Sequence, residues 1–162
     1  MFNFPGSNLY IGTMAELLVT NETEWAFVHA TQTFHYQYFG WDNKLKKPNK
    51  YHSYYIVYEH NNHISLNWIF GDAFLYTWSG PDTFIKILDF IDKWIQEKKI
   101  FIHSDKGKSR APTIALLYLA KRAKRLSNES FNRAYDEFIN YYPEYFPGGI
   151  GEYVGKKWYE IY

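Results

Sequence analysis

The sequence predicts an α/β domain: a central, mostly parallel sheet with helices on both faces. Two segments carry the expectation. Ile100, Phe101 and Ile102 form a short apolar β-forming run; a polar segment follows, and then Thr113 to Ala123 with Ile114, Leu117 and Tyr118 at helical spacing. Ahead of that strand, Phe84, Ile87, Leu88, Ile91, Trp94 and Ile95 share one face of a helix, closed by Lys98 and Lys99. In open sheets of this kind ligands bind beyond the carboxyl ends of the strands. Here that place is His103 to Arg110.

The remaining elements follow in chain order. Asn8 to Gly12 reads as an opening strand and Met14 to Val19 as a helical turn. Trp25 to Ala30 reads as a buried strand, with His29 packed in the core. Phe34 to Lys50 holds Gly40, Asn43, Pro48, Asn49 and the basic run Lys44, Lys46, Lys47, and is expected to be a surface loop. Tyr51 to Glu59 and His63 to Phe70 flank Asn61-Asn62, a hairpin signal because asparagine tolerates positive φ. His35, His52, His60 and His63 have no metal-motif spacing; they are expected at the surface or on strand edges, with no metal bound. Ser79 and Asp82 are expected to cap the periodic helix. Pro112 fits the first turn of the helix after the polar segment, where its missing N–H costs nothing. Lys121, Arg122, Lys124 and Arg125 complement that helix's C-terminal dipole. Ser127 is the expected cap of a helix carrying Phe131, Tyr135, Phe138 and Ile139 on one face. Pro143, Pro147, Gly148 and Gly149 break the chain before a last helix, Glu152 to Ile161.

At 162 residues the chain is expected to form one domain, 1–162. A net charge of +1 excludes nucleic-acid binding driven by bulk charge. The 22% aromatic content points to an aromatic-packed core. Cysteine is absent, which excludes disulfides and cysteine zinc sites. No apolar run is long enough to span a membrane, and the N-terminus lacks the pattern of a signal peptide. A cytoplasmic monomer without a cofactor is expected.

The polar segment itself is an anion-binding design. Strand, tight loop and helix N-terminus bring backbone N–H groups together, here those of Asp105, Lys106, Gly107, Lys108, Ser109 and Arg110. Arg110 adds a planar, permanently charged partner for phosphate oxygens. Gly107 lets the backbone bend where a side chain would block close approach.

His103, Gly107 and Arg110 stand as they do in the signature loop of the cysteine-dependent protein-tyrosine and dual-specificity phosphatases: His-Cys, five residues, Arg. Asn8-Leu9-Tyr10-Ile11-Gly12 also resembles the opening strand of the dual-specificity class, whose domain size the chain fits. The departure is Ser104, which stands where the family has its nucleophilic cysteine. The resemblance implies a dual-specificity phosphatase-like fold, a loop oriented by His103, and a general acid at Asp72, thirty-two residues ahead of Ser104. Asp82 competes for that role, but its place in the first helical turn already accounts for it. Arg110-Ala111-Pro112 is similar to the phosphatases of regenerating liver, and Lys106 and Lys108 are similar in kind to the loop lysines of phosphoinositide phosphatases.

The implied function is a protein phosphatase, for phosphotyrosine or of dual specificity, acting through a cysteinyl-phosphate intermediate. The chain is read as its inactive Cys→Ser, substrate-trapping form. The implied partner is a phosphorylated protein or peptide, or another phosphomonoester, with its oxyanion in the loop. Two other readings stay open: a natural pseudophosphatase that binds without hydrolysis, and a phosphatase of phosphoinositides or RNA 5′ ends.

Overall fold

A computed structural model describes residues 1–41 and 46–162. Six strands form one sheet: β1 (Phe2–Asn3), β2 (Leu9–Thr13), β3 (Trp25–His29), β4 (Val57–His60), β5 (His63–Leu66) and β6 (Lys99–Ser104). Their order is β1-β2-β6-β3-β5-β4. The four inner strands are parallel, and the edge strands β1 and β4 pair antiparallel. β6 lies between β2 and β3, so the segment that follows it emerges at the middle of the sheet. Among the described residues five α-helices accompany the sheet: α1 (Gln32–Phe39), α2 (Gly80–Trp94), α3 (Arg110–Lys121), α4 (Phe131–Phe138) and α5 (Gly148–Lys156).

Successive residues of a strand face opposite sides, and here the two sides differ in chemistry. Ile100 and Ile102, Ala26 and Val28, and Ile64 and Leu66 join the main core with the apolar faces of the later helices. The other side receives Phe101 and His103, Trp25, Phe27 and His29, and His63 and Ser65. Trp25, Phe27 and Phe101 pack there with Tyr10 and Leu17, and α1 lays Phe34 over His29.

Several sequence expectations hold. The hairpin of β4 and β5 turns on Asn61, whose φ is +51°, and the central strand and its helix lie where expected. Other expectations are corrected. The segment 34–50 is not all loop, because α1 occupies Gln32–Phe39 and ends on Gly40 at φ +64°. Its buried residue is polar, so the segment carries no apolar stripe to read. That residue, His35, is not at the surface. It is fully buried, with Nδ1 on the Ser65 hydroxyl at 2.7 Å and Nε2 donating to the Tyr54 carbonyl at 2.8 Å. Lys46 and Lys47 are exposed; Lys44 lies outside the described residues.

Ser130, not Ser127, caps α4 by accepting the Arg133 N–H at 3.1 Å; Ser127 Oγ accepts from the Glu129 N–H instead. Ser79 precedes α2 without a side-chain cap bond, since its hydroxyl accepts from the Trp68 indole at 2.7 Å. Gly148 and Gly149 open α5 rather than break the chain, and a 3-10 turn, Trp158–Glu160, completes the end. Of the basic cluster, Arg122 pairs with Asp89 and Asp92, and Lys121 donates to the Trp158 carbonyl while lying over its ring. Among the described residues no helix is long and apolar enough to cross a membrane.

Candidate functional site

Ser104 ends β6 and Arg110 begins α3, so the loop between them sits on the helix N-terminus as the sequence predicted. Two features give the loop its shape. Gly107 has φ +68°, and a Cβ there would lie 2.9 Å from the Gly12 carbonyl oxygen at the end of β2, so the position is closed to side chains. The C-terminal half also ties down the loop's outward carbonyls. The Tyr142 hydroxyl donates to the Gly107 carbonyl at 2.9 Å and the Phe146 N–H to the Lys108 carbonyl at 2.8 Å. The Ser109 hydroxyl donates to the Pro147 carbonyl at 3.0 Å.

Inside the loop, Ser104 Oγ accepts the Gly107 N–H at 3.2 Å. Arg110 is buried, and its guanidinium is fixed on three sides. Nη1 donates to the carbonyls of Ala30 (3.1 Å) and Trp68 (3.0 Å), at the ends of the β3 and β5 segments, and Nη2 donates to Asp105 at 3.1 Å. The Thr31 hydroxyl donates to the other Asp105 oxygen at 2.8 Å. Burial raises the Asp105 carboxyl, but these two donors outweigh it and hold the group below its ordinary value.

His103 lies on the opposite face of β6 from Ser104, in the row of aromatic and histidine side chains. Burial drives its imidazole down to about 3; Asp105 opposes this and Arg110 adds to it.

A cavity of about 280 Å³ opens over the loop. Ser104, Asp105, Lys106, Lys108, Ser109 and Arg110 line it, together with Phe70 and Phe146. The two phenylalanines are each 58% exposed, and their ring centroids are 6.2 Å apart. The arrangement offers what a phosphate oxyanion needs: loop N–H groups, a fixed guanidinium and two exposed ammonium groups.

Of the residues the sequence singled out, Ser104, Asp105, Lys106, Lys108, Ser109 and Arg110 line the cavity, and His103 and Gly107 do not. The structure does not bring Asp72 into the cavity lining either. Asp72 is exposed two residues after Phe70, at the start of the 3-10 turn Ala73–Trp78. Its main chain is fixed by a close approach: a Cβ on Gly149 would fall 2.5 Å from the Asp72 carbonyl carbon and 2.0 Å from the Gly71 oxygen. Phe70, Phe146, Thr31 and Tyr142 were not anticipated. In a chain with 13 phenylalanines and 16 tyrosines, single aromatics give no local signal.

No protein-family model and no curated protein sequence matches the chain. Solved structures do match. The Yvh1 phosphatase domain from Chaetomium thermophilum superposes with TM-score 0.56 at 18% identity, over 95% of this chain and 92% of that one. The human tyrosine phosphatase-like serine/threonine/tyrosine-interacting protein gives TM-score 0.53 at 15% identity, over 92% of this chain and 85% of that one. Tk-PTP in its active form gives 0.53 at 16% identity, over 98% and 99%. The chain has a dual-specificity phosphatase-like fold, with a mostly parallel six-stranded sheet flanked by helices.

Proposed function

We propose that the chain is a phosphatase-like domain that captures a phosphomonoester, foremost that of a phosphorylated protein, in the loop Ser104 to Arg110 and holds it without turnover. One observation carries the reading: the nucleophile position of an otherwise formed phosphate loop is a serine hydroxyl bonded to the Gly107 N–H. That N–H and the helix N-terminus would hold a cysteine as thiolate at neutral pH. A serine hydroxyl is far less acidic, and the one adjacent imidazole, His103, points to the other face of the strand. Among the described residues no general base is hydrogen-bonded to Ser104 Oγ, which accepts from the Gly107 N–H.

The scaffold is that of a cysteine phosphatase, in which the sulfur attacks phosphorus, the leaving oxygen takes a proton, and water then cleaves the cysteinyl phosphate. Asp72 is our candidate donor of that proton. Its loop is anchored by Gly149 and continues into Phe70 at the cavity wall.

The test has two parts. Titration of the chain with a phosphotyrosine peptide and its unphosphorylated counterpart is expected to show binding of the first only. Arg110→Lys, which keeps the charge and removes the planar fork, is expected to weaken it at least tenfold. Equal affinity for both peptides overturns the reading. Ser104→Cys is then expected to hydrolyse aryl phosphates, and a further Asp72→Ala to slow it about 10²-fold on poor leaving groups. A cysteine variant that binds oxyanions yet stays inert on aryl phosphate, phosphopeptide and phosphoinositide makes the domain a binding module by construction rather than by one substitution.

A further inference from the structure

Behind the loop, three imidazoles and a carboxylate form a line across the sheet. His103 Nε2 meets His29 Nδ1 at 2.5 Å, His29 Nε2 meets His63 Nδ1 at 2.8 Å, and His63 Nε2 meets the Glu22 carboxylate at 2.7 Å. The strand register produces this, since His29 pairs with His103 across β3 and β6, and His63 sits opposite Phe27 on β5. His103 and His29 are buried, and Phe34 and Phe27 stack on the two sides of His29. His63 is 14% exposed and Glu22 70% exposed. The far end, His103 Nδ1, is buried and has no hydrogen-bond partner among the described residues.

A carboxylate only accepts, so His63 Nε2 carries a proton, and in the neutral ring its Nδ1 is an acceptor. His29 must then donate from Nε2, and His103 likewise. Each link fixes the next, and His103 Nδ1 is left as a bare lone pair. This nitrogen is bonded to Cγ, on the main-chain side of the ring, where the phosphate loop begins.

We propose that Glu22, His63 and His29 are positioning residues for His103: the surface carboxylate fixes which ring nitrogen of His103 is protonated, and one proton gained by the relay places an N–H on His103 Nδ1 beneath the phosphate loop. The balance is simple. In the neutral relay each ring holds one proton, on Nε2. With one more, His63 holds two, and His29 and His103 hold one each, now on Nδ1. The positive charge rests on His63, the ring that is part exposed and paired with Glu22, because burial opposes charge on His29 and His103. Among the described residues, the other titratable or charged groups facing the line are Asp105 and Arg110 at the loop end and Tyr38 from α1 beside His29 and His63; at the outer end Glu22 borders a cleft with Glu59, Lys86, Lys93 and Glu97, and Lys98 reaches the Glu22 and Thr23 carbonyls.

The ring nitrogens are followed by ¹⁵N NMR as pH falls from about 8 to about 5. The expected result is that His103 Nδ1 changes from acceptor to N–H as the relay gains its proton, while His103 itself stays neutral. Glu22→Lys, at an exposed position, replaces the acceptor by a donor and is expected to give that N–H already at neutral pH. If His103 Nδ1 is unchanged over this pH range, or unchanged by Glu22→Lys, the proposal is overturned. A second measurement rests on the phosphate-binding reading. Sulfate, whose charge is constant over this range, is expected to bind on the order of tenfold more tightly at the acid end, the effect of one more donor near a charged group. Glu22→Lys is expected to flatten that dependence. Coupled tautomers without sulfate binding at any pH leave the relay standing and remove the phosphate reading. Sulfate binding with an uncoupled His103 does the reverse.

Discussion

The two faces of β6 show how one strand serves two purposes. Toward the later helices it presents Ile100 and Ile102, fully buried with aliphatic and aromatic side chains from β2, β3, β5, α2 and α3. Toward α1 it presents Phe101 and His103, among aromatic rings and imidazoles. The face of Ile100 and Ile102 is built mainly on buried apolar side chains and carries no histidine among the described residues. The aromatic face contains polar atoms that must find partners in a dry setting. His35 with Ser65 and the Tyr54 carbonyl, and the line from His103 to Glu22, are how it finds them. The difference assigns fold stability mainly to one face and response to protons to the other.

The largest expected effect breaks the first half of that assignment. Ile102→Asp places an unpaired carboxylate at a position with no exposure. The cost is at least about 4–5 kcal/mol, at the far end of single substitutions and comparable to a whole domain's stability. A chain that does not fold at any pH is expected by circular dichroism. A normal melting curve would deny the helix-side core its role.

The next effect concerns protons, and here the sign matters. Burial first, opposed by bonds to Tyr54, Tyr55 and Ser65, lowers His35 from an ordinary 6.5 to about 4. In that window the unfolded chain takes up a proton that the folded chain refuses, so stability falls as pH drops from 6.5 through about 4. His29 and His103 act in the same direction. The loss from His35 alone is on the order of 3 kcal/mol. His35→Phe is expected to lower stability at neutral pH, because Ser65 loses its partner, and to shrink the acid slope. Denaturant melts at several pH values read both. An unchanged slope would move the acid sensitivity off this face.

The same division explains what was legible in the sequence. The aliphatic side was readable because its signals are local: Phe84 to Ile95 at helical spacing, Ile100 to Ile102 as an apolar run, Gly107 and Arg110 at fixed places in one short loop. The aromatic side was not. His29, His63 and His103 are far apart in the chain, and only the strand order β6-β3-β5 and its register bring them into line. Strand order is a property of the fold as a whole. α1 was missed for a related reason, since its inward residue is His35, whose partners lie on β5 and in the segment before β4. The cavity walls show the same limit: Phe70 and Phe146 meet only because Gly148 and Gly149 let the C-terminal segment close on the loop that holds Asp72.

The smallest effect tests the local end of this scale, where sequence signals existed and still pointed to the wrong residue. Ser127 and Ser130 both precede α4, and each is chemically able to cap it. They differ in what their hydroxyls meet. Ser130, in extended conformation at φ −159°, accepts the N–H three residues on and satisfies a donor the helix leaves open. Ser127 Oγ accepts from Glu129, two residues on and outside the helix, while its own N–H goes to the Glu137 carboxylate. Ser130→Ala is therefore expected to cost about 1 kcal/mol. Ser127→Ala keeps the backbone bond to Glu137 and should cost about half of that at most, the usual range for a substitution that removes no cap and opens no cavity. Both changes lie on the helical side of the sheet, so neither should alter the acid slope set by the histidines. Equal losses in urea melts would show that the two serines share the capping role, and a changed acid slope would show that the two faces are not separable.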